Sequence, residues 1–404
     1  MSMRYKGGVI SATAPTVTGP VDGEGGSASG IWSLETVTQY VGEDGWPKPP
    51  LPKALYSWGY NNVGELGLNN TTSRSSPVQV GSLTDWLEVA AARQFCLAVK
   101  QTGTLYAWGI NTGGQLGLGN TTYAYSSPVQ VGALTTWAKV SAYGPSSFAT
   151  KTDGTLWAWG QNNTGQLGTS NTTAYSSPVQ VGALTSWVKI SAGNTYTAAI
   201  KTDGTLWTWG AGFGGGLGHN NSTTLSSPVQ VGALTDWYQI SLGGSSAAIK
   251  TDGTLWTWGI NEGGRLGLGD TTYRSSPTQV GALTNWASVS MDTRFCAAIK
   301  TDGTLWAWGI GSDGVLGQGN TTDYSSPVQV GALTNWLSVA AGNYFCLAIK
   351  TDGTLWSWGR GTGGRLGHSN TTSLSSPVQV GALTTWLRLP TGGNNNSSEA
   401  IRVG

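Results

Sequence analysis

Few residues in this chain could do acid–base, nucleophilic or metal chemistry. There are two histidines, His219 and His368. They lie in equivalent loops of a repeated unit, so no Ser-His-acid or Cys-His set is supported. Cys96, Cys296 and Cys346 share one register, four residues before a Lys. Ser147, Thr197, Ser246 and Ser398 hold that register in the other units. A Cys that exchanges with Ser and Thr reads as a small, partly buried strand residue. Only Cys296 and Cys346, in successive units, offer a pair, and matching positions in adjacent units are too distant for a disulfide. No His or second Cys stands nearby to complete a metal site. Asp153, Asp203, Asp252, Asp302 and Asp352 each precede a Gly in a turn, far from one another, and are not paired for acid–base work. Gly210–Gly216 imitates a dinucleotide loop but lacks the βαβ setting that would place phosphate on a helix. Asn-x-Thr triplets at Asn70, Asn120, Asn171, Asn320 and Asn370 read as turns that bond their own backbone. The expectation is a protein with no catalytic residue, no cofactor and no metal.

The elements around these residues come from a repeat. A Trp-Gly pair recurs at Trp58, Trp108, Trp159, Trp209, Trp258, Trp308 and Trp358. A second Trp recurs at Trp86, Trp137, Trp187, Trp237, Trp286, Trp336 and Trp386. Seven units of about fifty residues fill 53–404, and such a period marks a propeller or a solenoid. Each unit reads as four short strands. In one unit these are 153–159 after a turn, 177–181, 187–191 and 197–201, with Pro178 opening the second and Asp203-Gly204 turning into the next unit. The fold class is therefore all-β, a seven-bladed β-propeller of four-stranded blades. The tail Ala400–Gly404 repeats the motif at Ala348–Gly353, but the strand that should follow it is missing there and present at Lys53–Gly59. The ring should thus close by pairing of its two ends, with Leu55, Tyr56 and Trp58 against Ile401 and Val403. Closure removes the exposed edges of an open array.

Composition limits the partners. The chain has 404 residues, 62 Gly and 21 Trp, and a net charge of +1. It has no bulk electrostatic grip on nucleic acid or on anionic membrane. No apolar run is long enough to span a bilayer, and no signal-peptide pattern opens the chain.

The unit Leu-Trp-Ala-Trp-Gly-x-Asn-x-x-Gly-Gln-Leu-Gly at 156–168, with its Pro-Val-x-Val and Ala-Ile-Lys-Thr-Asp-Gly segments, resembles the regulator of chromosome condensation repeat. The resemblance runs over 53–404. It implies a seven-bladed propeller closed by mixed terminal strands. It fixes no chemistry, since the family includes nucleotide exchange factors, chromatin binders and many bacterial and phage proteins. The seven units here are near copies, without the acidic loop face or basic segments of the eukaryotic exchange factors. Phe95, Ser146, Tyr196, Ser245, Phe295, Phe345 and Ser397 stand where the family often has His.

Residues 1–52 fall outside the repeat. A short helix over 34–41 and a proline-rich lead, Trp46–Pro52, are expected there. The stretch Gly25–Leu34 and Gly45–Pro47 resembles part of the structural proteins of marine bacterial viruses. It implies an assembly arm carrying Ile31, Trp32, Leu34, Tyr40 and Trp46.

The remaining variation is in loops, where a rigid scaffold carries recognition. Candidate contact residues are Arg74, Arg93, Tyr123, Tyr125, Tyr143, Tyr273, Arg274, Arg294, Tyr324 and Tyr344. The leading expectation is a non-enzymatic virion protein, a tail or fibre appendage. It would bind other virion proteins through the arm and a host surface glycan or protein through the loops, without membrane insertion or direct nucleic acid binding. The alternatives are a capsid-surface decoration protein and a cytoplasmic interaction adaptor or nucleotide-exchange-factor-like propeller.

Overall fold

The computed structural model describes residues 51–391 and 395–404. The predicted helix at 34–41 and the arm residues Ile31, Trp32, Leu34, Tyr40 and Trp46 lie outside the described residues.

Among the described residues, seven four-stranded antiparallel sheets form the blades of a propeller. Blade 1 is assembled from both ends of the chain: Trp386–Arg388, Ser397–Val403, Lys53–Gly59 and Arg74–Gln79, from the axis outward. Blade 2 runs Trp86–Ala91, Phe95–Lys100, Leu105–Ile110 and Ala124–Gln130. Blades 3 to 7 repeat that order, with innermost strands Trp137–Tyr143, Trp187–Ala192, Trp237–Leu242, Trp286–Met291 and Trp336–Gly342.

The seam is a continuous register. Lys53 pairs Val403, Leu55 pairs Ile401, Tyr56 pairs Ala400, Trp58 pairs Ser398 and Gly59 pairs Ser397. Leu55, Trp58 and Ile401 are buried. Two sheet edges that would otherwise be open are thereby satisfied.

Pro178 does not open its strand. It sits inside Tyr175–Gln180, beside an irregularity where the pairing steps from Tyr175–Gly160 to Val179–Ala158. That strand is outermost, so the missing N–H faces away from the ladder.

Innermost strands are tied around the axis by serines. The backbone N–H groups of Ala192, Leu242, Met291 and Ala341 donate to the hydroxyls of Ser141, Ser191, Ser241 and Ser290 of the preceding blade, all at 2.9 Å. At the seam a carbonyl takes over, and Ala91 N–H donates to Thr391 O at 3.0 Å.

Candidate functional site: the loop face of the ring

Strand direction gathers the variable loops. Phe95 pairs Gly109 and Tyr125 pairs the same glycine, so the start of the second strand, the end of the third and the start of the fourth share one end of the blade. The variable loops that follow the third strand and precede the second and fourth strands leave from that end. The Asp-Gly turns and the Gly-Ala-Leu-Thr loops occupy the other, where Trp86 pairs Lys100.

A staple holds each loop to the next blade. The indole N–H groups of Trp58, Trp108, Trp159, Trp209, Trp258, Trp308 and Trp358 donate to the carbonyls of Arg365, Glu65, Gln115, Gln166, Gly216, Arg265 and Val315 at 2.8 to 3.0 Å. Ser147, Thr197, Ser246 and Ser398 donate to the same carbonyls at 2.6 to 2.9 Å, and Cys96 at 3.5 Å. The shared acceptor explains why Cys96 exchanges with Ser and Thr in that register. A Cβ on Gly168, where φ is +75°, would sit 2.7 Å from the Trp209 nitrogen, so only glycine lets the loop approach. All three cysteines are free and buried. Burial pushes their thiols well up from the ordinary value, with Glu399 adding to the effect at Cys96.

The structure joins two of the expected contact residues. The Arg294 guanidinium lies 4.6 Å from the Tyr344 ring centre and that of Arg360 lies 4.0 Å from it. Arg360 donates to Asp313 Oδ2 at 2.9 and 3.1 Å. Arg294 is exposed and Tyr344 half-buried. Tyr344 has φ of +66° and Asp313 +60°, a conformation disfavoured for residues with a Cβ and concentrated at functional sites. Beneath them Arg365 is buried, donating to the carbonyls of Thr362 and Asn343 at 3.0 and 2.7 Å. Sequence reasoning missed Arg365 and Arg265. Their signal was a basic residue in the register that holds Glu65, Gln115, Gln166, Gly216 and Val315 in the other units.

Other candidates are separate. Tyr273 donates to Glu262 at 3.0 Å, and Arg274 pairs Asp270 at 2.6 Å. Tyr125 and Tyr324 meet Asn120 and Asn320. Tyr123 and Arg93 are exposed, and Arg74 is half-buried on the outer strand of blade 1. Asx turns form as read, with Thr173 N–H donating to Asn171 Oδ1 at 2.9 Å.

Tyr143 is not a loop residue open to partners. It is fully buried and its hydroxyl lies 2.6 Å from that of Thr293. One residue belongs to blade 3 and the other to blade 6, so the bond crosses the axis just beneath the loop face. Among the described residues there is no cluster of three metal-ligating side chains, and no helix is long and apolar enough to cross a membrane.

The RCC1-like domain family matches residues 53–297. The regulator of chromosome condensation (RCC1) repeat matches 302–349 and 352–394. Among curated proteins none matches in sequence. The fold is similar to that of human WBSCR16, at 19% identity and a TM-score of 0.77 over 87% of this chain and 99% of that one. Prp20p from Saccharomyces cerevisiae gives 20% identity and 0.77 over 88% and 92%. Yeast RCC1 (Prp20), solved with Kap60 bound, gives 19% identity and 0.77 over 97% and 96%. These matches overturn the expectation of a virion structural protein. A tail, fibre or capsid-decoration role, virion partners and a virion location followed from the resemblance of a short stretch outside the ring, with the low charge and the lack of catalytic groups; no family match reaches that stretch, whereas the family matches extend along the ring. The chain belongs to the RCC1-like domain family.

Proposed function

We propose that this chain is a non-catalytic interaction propeller of the nucleotide-exchange-factor-like kind, which grips a nucleotide-binding partner protein with its loop face. The observation that carries the reading is the Arg294–Tyr344–Arg360 stack, in which an aromatic ring on a left-handed backbone sits between two guanidinium groups. An aromatic ring flanked by guanidinium groups offers a rigid apolar surface with several donors, the chemistry enriched at the centres of protein interfaces. Support comes from the solved relatives: one work on Prp20p describes binding to Gsp1p and histones, and another shows yeast RCC1 with Kap60.

The test is partner capture followed by nucleotide release. Immobilised protein should retain a nucleotide-binding protein from its own cell extract. Added to that partner loaded with a fluorescent nucleotide, the protein should speed release, and Tyr344→Ala should remove both effects. Capture that survives Tyr344→Ala, or release that stays at the spontaneous rate, would refute the reading.

A further inference from the structure

At the opposite face the axis opens into a cavity of about 390 Å³, lined by Glu88, Lys139, Lys189 and Arg388 and by aliphatic side chains that include Val188 and Ile240. The lining strand residues hold the second to fourth positions of the innermost strands, and Leu389 and Thr391 follow the end of the innermost strand of blade 1. The Tyr143–Thr293 bond crosses the axis beyond it, on the loop side.

Charge at this level is one-sided. The third position of the innermost strand is Glu88, Lys139, Lys189, Gln239, Ser288, Ser338 and Arg388 around the ring. The Glu88 carboxylate, 4% exposed, is shared between the Lys139 ammonium and the Arg388 guanidinium. Two cations therefore face one anion, and Lys189 has no carboxylate partner among the described residues. It rests instead 3.6 Å from the Tyr238 ring centre and donates to the Tyr238 carbonyl. On the facing arc the hydroxyls of Ser288 and Ser338 are buried without a hydrogen-bond partner. The rim beyond is apolar, with Tyr238, Leu337 and Leu387 exposed.

We propose that this axial cavity takes an acidic peptide segment of a partner protein, one in which carboxylate side chains are flanked by apolar ones. A net excess of two positive charges in a half-enclosed pocket favours an anion. The aliphatic wall and rim need an occupant that also buries hydrocarbon, which a bare phosphate or a polyphosphate chain does not supply. A nucleic acid would need a track of cations along its backbone, and this chain has a net charge of only +1. The site is independent of the loop face and stands whether or not that face binds the partner proposed above.

The test uses the full chain and a random-peptide array. The enriched consensus should place Asp or Glu beside Leu, Ile or Phe. A fluorescein-labelled consensus peptide, followed by anisotropy, should bind the K139Q/K189Q variant at least tenfold more weakly, a loss matching one charged contact. Lys189→Gln alone leaves Glu88 both its cations and should also weaken binding, with an unchanged thermal midpoint. Tyr344→Ala should bind the peptide as the parent does. No consensus, a neutral or basic consensus, unchanged affinity in both lysine variants, or displacement of the peptide by inorganic polyphosphate at equal charge would overturn the proposal.

Discussion

The Cys96 sulfur lies 3.4 Å from Oε1 of Glu399, linking blade 2 to the strand that closes blade 1, and its single S–H is shared between that oxygen and the Glu65 carbonyl. Glu399 is fully buried, in the register that holds Leu97, Phe148, Ala198, Ala247, Ala297 and Leu347 in the other blades. Burial pushes its pKa from 4.5 up to about 7, and the nearby Glu65 carboxylate adds to the rise.

Stability should therefore depend on pH at the seam. The folded chain holds this proton more tightly than the unfolded chain, so stability is highest below about pH 4.5 for this group. It declines as pH rises towards 7, by about 3 kcal/mol in all. Glu399→Gln keeps the shape without the charge. Urea unfolding of that variant should be flatter across pH 5 to 8 and stronger than the parent at pH 8. A variant that gains no stability over the parent between pH 5 and pH 8 would contradict the account.

The seam should also be the mechanical weak point. Removing 398–404 unpairs Lys53–Trp58 and exposes Leu55 and Trp58. Limited proteolysis should then cut the ring at a rate at least tenfold above that of the parent.

Gly168→Ala places a methyl against the Trp209 nitrogen on a left-handed backbone. The loss should be about 2 kcal/mol or more, read as a lowered denaturant midpoint with unchanged slope. Trp209→Phe removes the indole donor to Gln166 O but leaves that of Thr197, and should cost less than the glycine change.

Tyr344→Gly relieves a positive φ while removing the ring between two guanidinium groups. Strain relief and lost cation–π contact are each about 1 kcal/mol and oppose one another. The thermal midpoint should shift by only a few degrees while partner capture is lost.

The cysteines should be silent in the native protein. All three are buried, with thiols held protonated. A thiol reagent should find none before denaturation and three after it.

The ring was legible in the residues because its causes are local and repeated. Trp-Gly pairs, Asp-Gly turns and alternating strands recur at a fixed period, and the broken motif at 400–404 has its complement at 53–59. Positions within the ring were less legible. Tyr143 reads as a loop residue yet crosses the axis, because its direction is set by blades more than a hundred residues away.

The amino-acid sequence alone determined the blade count, the strand order and the seam, since each follows from neighbours in the chain and from the need to pair every sheet edge. Tertiary structure alone decided which side chains meet. It set Arg294 on Tyr344, buried Glu399 beside Cys96, and brought Lys139, Lys189 and Arg388 to one cavity. Those meetings depend on how far each blade turns about the axis, a distance in space that no spacing along the chain encodes.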